Sequence, residues 1–149
     1  MRRFDFPLER VRRWRLEQLN LEHLKLQKML AERQALADAK QQVRNDLART
    51  EQGILSQPSI GGLELENLDS YRLHIRARVR DFENREREFE AKVAEQRARV
   101  VESRRLFELL DQLRAKALAT WHKAADREQE ALAGELFLAK STRNVSRSR

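Results

Sequence analysis

The constraint that most limits this chain is where its helix breakers lie. The stretch "GILSQPSIGG", Gly53 to Gly62, holds three of the four glycines and one of the two prolines. The remaining breakers are Pro7, near the start, and Gly134, near the end. A polypeptide interrupted once, between two long uninterrupted arms, folds back on itself or not at all. Composition supports the helical choice. Of 149 residues, 37% are charged and only 6% aromatic, a mixture suited to long helices and coiled coils rather than to a compact single-core globule.

The arm after the turn carries a 3.5-residue apolar period. From Leu65 to Leu138 in alternating steps of three and four, fifteen of 22 positions are apolar, among them Leu68, Ile75, Val79, Phe82, Phe89, Val93, Val100, Phe107, Leu110, Ala117, Trp121, Ala124 and Ala131. Phase kept over ten heptads specifies a coiled-coil seam. The first arm shows the period less cleanly, at Leu19, Leu26, Met29, Leu36, Val43, Leu47 and Ile54. The expected fold is therefore all-α: two long helices in an antiparallel coiled-coil hairpin, the second the longer. The expected bounds are a helix over about 7–55, a turn over about 56–63, a helix over about 64–139 and a disordered basic tail over 140–149. Asp5 is the expected N-cap with Pro7 in the first turn, and Gly61-Gly62 offer positive φ at the reversal. Pairing about a centre near Ser59 brings Leu36 level with Phe82, Leu19 with Val100 and Leu8 with Leu110.

On that pairing the second helix outruns the first by about 26 residues, or ~40 Å. Ala117, Trp121, Ala124 and Leu138 would then be apolar seam positions with nothing to cover them. They are expected either to self-associate or, in the favoured reading, to dock another protein. An uncovered Trp121 would make Trp121→Ala cost the free chain less than about 1 kcal/mol.

The net charge of +7 is concentrated at the termini. Residues 1–15 hold six arginines against Asp5 and Glu9, and residues 140–149 hold four basic residues and no acid, while the span between is nearly neutral. In a hairpin both termini lie away from the turn, so one basic end is expected. It suits an acidic protein surface or, alternatively, nucleic-acid phosphates. Catalysis is not expected: there is no glycine-rich phosphate loop, and His23, His74 and His122 are scattered without ligand spacing. No cofactor, metal, cysteine chemistry, secretory signal or membrane span is expected either.

The opening "FDFPLERVRRWR", Phe4 to Arg15, resembles the start of the FliJ family, the flagellar type III export protein. The length, the turn near one third of the chain, Tyr71 shortly after it and the basic C-terminal tail agree with that family. The resemblance implies a cytoplasmic, non-enzymatic stalk, peripheral to the inner membrane. Such a stalk binds and activates the hexameric export ATPase and links it to the membrane export gate and to export chaperones, with no nucleic-acid partner. Residues implied at the ATPase ring are Arg10, Arg12, Arg13, Trp14, Arg15, Ala117, Trp121 and Ala124. Those implied at the gate, near the turn, are Gln42, Tyr71, Ile75, Val79 and Phe82. The alternative is a nucleic-acid-binding or purely structural coiled coil using its basic end.

Overall fold

The computed structural model describes the backbone of residues 3–147 and the side chains of residues 3–143. It contains two helices, α1 (Glu9–Leu55) and α2 (Gly62–Arg147), packed against each other as a helical hairpin, with no strand among the described residues. Among those residues no helix is long and apolar enough to cross a membrane. The chain divides into two compact units: Leu19–Glu102, and the residues up to Gln18 together with those from Ser103 onward.

The helix ends differ from expectation for local reasons. α1 begins at Glu9 rather than near residue 7, because Pro7 pushes Phe6 out of helical geometry. Pro7 and Leu8 form a turn closed by the Glu9 N–H donating to the Phe6 carbonyl at 3.0 Å. Leu8 accepts the first helical bond, from the Arg12 N–H at 2.9 Å, so Asp5 is not the cap. α2 begins at Gly62, two residues early. The Glu64 carboxylate reaches back to accept from the Gly61 N–H at 3.3 Å, which is half of a capping box. No described glycine uses positive φ, so the reversal over residues 56–61 does not draw on the freedom expected of Gly61-Gly62.

At its other end α2 continues to Arg147 instead of fraying at 139 into a tail. No breaker follows Gly134. The hydroxyls of Ser141 and Thr142 donate back to the Leu138 carbonyl at 2.9 and 3.1 Å, bonds that the helical backbone accommodates. Ser148 and Arg149 lie outside the described residues.

In the Leu19–Glu102 unit the period delivers the seam. Leu68, Ile75, Val93 and Val100 are buried on α2 and Leu19 and Val43 on α1. The polar residues that interrupt the apolar ladders find one another. Lys40 pairs with Glu86 at 2.7 Å, and Gln96 donates to the Glu22 carboxylate and backbone carbonyl at 2.5 and 3.0 Å. The Gln96 amide, foremost, holds the Glu22 carboxyl below its usual range. Around the seam Arg33–Glu90, Arg44–Glu83 and Arg72–Glu51 cross between the helices at 2.6–3.3 Å.

Lys40–Glu86 and Arg44–Glu83 correct the expected register in the half of the unit nearer the turn, whereas Gln96 with Glu22 keeps to it. Leu36 shares a groove with Phe89, one heptad beyond Phe82. The first turn of α2 is exposed, Leu63 and Leu65 included, so the seam opens at Leu68. A 3.5-residue repeat makes registers one heptad apart nearly equal in apolar burial, and the matching of ladder polar residues then chooses between them. A cysteine at position 36 is accordingly expected to form a disulfide with one at 89 in preference to one at 82. Non-reducing electrophoresis of the two double-cysteine variants, read against an intrachain mobility shift, checks this.

Candidate functional site

The second unit brings the N-terminal arginines onto α2. The segment before α1 runs alongside α2, with Phe6 buried and the Phe4 ring edge-on to Trp121 at 6.0 Å. Trp121 is therefore half-buried, and the expectation of an exposed indole is wrong. The pairing arithmetic ended the cover where helix α1 ends, but extended chain also covers surface, and it spans more length per residue than helix. Ala117 is half-buried beside it. Ala124 is exposed while Ala125 is buried. The helix's 3.6-residue turn drifts against a 3.5-residue ladder, so by this level the inward face has advanced by one position.

Glu9 is the centre of the unit's charge. Its Oε1 accepts from Arg12 Nη1 at 3.1 Å and Arg13 Nε at 3.4 Å. Its Oε2 faces Arg114 Nε at 3.3 Å, both atoms shut off from solvent, so the two satisfy each other as an ion pair without a well-aligned hydrogen bond. Arg12 also donates to Asp111 at 2.9 Å and lies over the Phe107 ring at 5.4 Å. Arg114 in turn lies 5.9 Å from the Phe4 ring. A cleft of about 420 Å³ opens beside this cluster, lined by Arg3, Phe4, Asp5, Phe6, Glu9, Arg13 and Arg114.

The five N-terminal candidates therefore separate by role. Arg12 is committed internally: its guanidinium is mostly covered and binds two carboxylates. Arg10 is exposed, Arg13 is about three-quarters exposed, and Trp14 is half exposed with the Arg15 guanidinium stacked 4.7 Å from its ring. Arg10, Arg13 and Trp14 sit three and four residues apart, which places them on one side of α1. An outward aromatic ring capped by one guanidinium and flanked by two more is a surface for carboxylates or phosphates.

The single basic end is corrected as well. Arg12 stands level with Asp111, whereas Lys140 lies 29 residues further along the same helix, about 43 Å at 1.5 Å per residue. The unit carries two separate basic stretches. A continuous helix holds them apart, where a disordered tail could have folded back.

Near the turn, Ile75 is buried in the seam and offers little surface for the gate contact that the resemblance implied. Val79 is half-buried and lines, with Leu47 and Ile75, a groove of about 320 Å³; Tyr71 and Phe82 are half-buried, and Gln42 is exposed and bonded to Asp46 at 3.1 Å. Sequence reasoning missed the Phe4–Phe6 cover and the Glu9–Arg114 pair. The visible signal for the second was that Arg114 is a charged residue on an apolar ladder, which demands a partner.

No family model matches the chain, and no curated protein or solved structure is significantly similar to it.

Proposed function

We propose that this chain is a non-enzymatic, cytoplasmic stalk of the flagellar type III export apparatus. It binds and activates the hexameric export ATPase at its N-terminal face and meets the export gate at the inner membrane, and export chaperones, through other surfaces. The observation that carries the reading is the outward Arg10–Arg13–Trp14 face, with half-buried Arg15 stacked on Trp14, within the Phe4–Arg15 segment that resembles the FliJ family. A helical hairpin is a fitting scaffold for it. Exposed, salt-screened charges give contacts that can be exchanged from one ring subunit to the next, where a large apolar interface would lock to a single subunit. At the gate the proposal keeps Gln42, Tyr71, Val79 and Phe82 and drops Ile75.

The test is the triple variant Arg10→Ser, Arg13→Ser, Arg15→Ser, with Arg12 kept because it holds Glu9 and Asp111. Helicity is expected to stay nearly unchanged, since exposed charges such as Arg10 and Arg13 contribute about 0–1 kcal/mol to folding and half-buried Arg15 stacks on a half-exposed ring. Stimulation of the ATPase is expected to fall severalfold at physiological salt. Normal stimulation by the variant refutes the ring contact. Because Arg15 stacks on Trp14 as a base-stacking pair also would, the same proteins are titrated with single-stranded DNA. Tight, steeply salt-dependent binding lost in the variant would favour the nucleic-acid reading instead.

A further inference from the structure

Every described side chain from Asp126 to Arg143 is exposed, across 18 residues or about 27 Å of helix. This is not a polar helix. Leu132, Leu136, Phe137 and Leu138 are each 60–72% exposed, so the end of α2 carries a run of large apolar side chains that the fold leaves uncovered.

One of its faces continues an interface the structure already builds. Trp121 meets Phe4, and Leu118 and Ala125, half-buried and buried, lie on the same side of α2. The same side of the helix, followed at helical spacing, presents Leu132, Leu136 and Ala139, after the cover has ended. Leu138, two positions from Leu136, lies on the opposite side.

Charge says what covers this face. Beside this face Glu128 precedes the leucines, and Lys140 and Arg143 follow them with no acid after Glu135. We infer that the face binds a second copy of itself, antiparallel, about a two-fold axis near Gly134. That arrangement lays Leu132 against the other copy's Leu136. It brings each basic end level with Glu128 of the other copy, whereas a parallel pair would set like charges side by side. An 18-residue helix pair is a small interface, so the dimer is weak and reversible.

The experiment is sedimentation equilibrium of the full chain over a wide concentration range. The expected result is a monomer–dimer equilibrium that weakens with salt. In Leu132→Asn with Leu136→Asn the dissociation constant rises at least about tenfold, with unchanged helicity, because both side chains are already exposed in the monomer. Leu138→Asn leaves it nearly unchanged. Glu128→Lys or Lys140→Glu weakens the dimer, and both reversals in one chain restore it. A chain that stays monomeric throughout overturns the inference. So does a dimer indifferent to the Leu132/Leu136 changes, one lost equally in Leu138→Asn, or one that the combined reversal fails to restore. None of these substitutions touches Arg10, Arg13 or Arg15, so the outcome is separate from that of the ATPase test.

Discussion

Val93→Asp is expected to unfold the Leu19–Glu102 unit or bring it close to unfolding, with a loss on the order of 4 kcal/mol. Val93 is fully shielded from solvent at the centre of the seam. Its nearest ladder neighbours on α2 are Phe89, half-buried, and Gln96, whose amide is already committed to Glu22. A carboxylate at 93 would lose its water beside a Gln96 amide that is already engaged. Leu73→Asp, on the same helix but 64% exposed, should change stability by less than about 0.5 kcal/mol. Urea unfolding followed by far-ultraviolet circular dichroism separates the two. Equal tolerance of both substitutions would mean that the ladder does not face α1.

Phe6→Ala is expected to release the extended segment from α2. A fully buried phenylalanine contributes roughly 3 kcal/mol or more, but here the loss is capped by the cost of detaching a short segment alone. The change should therefore be local: a red-shifted, more quenchable Trp121 emission with helicity kept. Trp14 is already half exposed, so Trp14→Phe can serve as the background that isolates the Trp121 signal. Phe137→Ala, whose ring is 72% exposed, should leave the emission and the thermal unfolding of a dilute sample unchanged. Unaltered Trp121 emission in Phe6→Ala would mean that the N-terminal cover contributes nothing to this environment. By the same packing, Trp121→Ala should cost about 2 kcal/mol, more than an uncovered indole would allow.

Of the candidate site, the charged residues were legible and their division of labour was not. Arg10, Arg12, Arg13 and Arg15 look alike in a string of letters. Only the arrival of Asp111 and Glu9 beside Arg12 covers that guanidinium, while Arg10 and Arg13 stay exposed, Arg13 despite its own contact with Glu9. Ile75 and Phe82 also look alike in sequence, as apolar ladder positions near the turn. Burial separates them, and burial depends on which residue of α1 stands opposite.

By itself the sequence determined the hairpin. Breakers gathered at Gly53–Gly62 permit one reversal, and a 3.5-residue apolar period on both arms permits one kind of packing, because neither arm is stable in water with its stripe exposed. The tertiary structure alone decided the register, the cover over Trp121 and the point at which the seam face drifts from Ala124 to Ala125. Each is a choice among arrangements that bury similar apolar area. A heptad slip moves Leu36 from Phe82 to Phe89 at almost no apolar cost, so the decision falls to pairs far apart in sequence, Lys40 with Glu86 and Arg44 with Glu83, whose partners a local period does not encode.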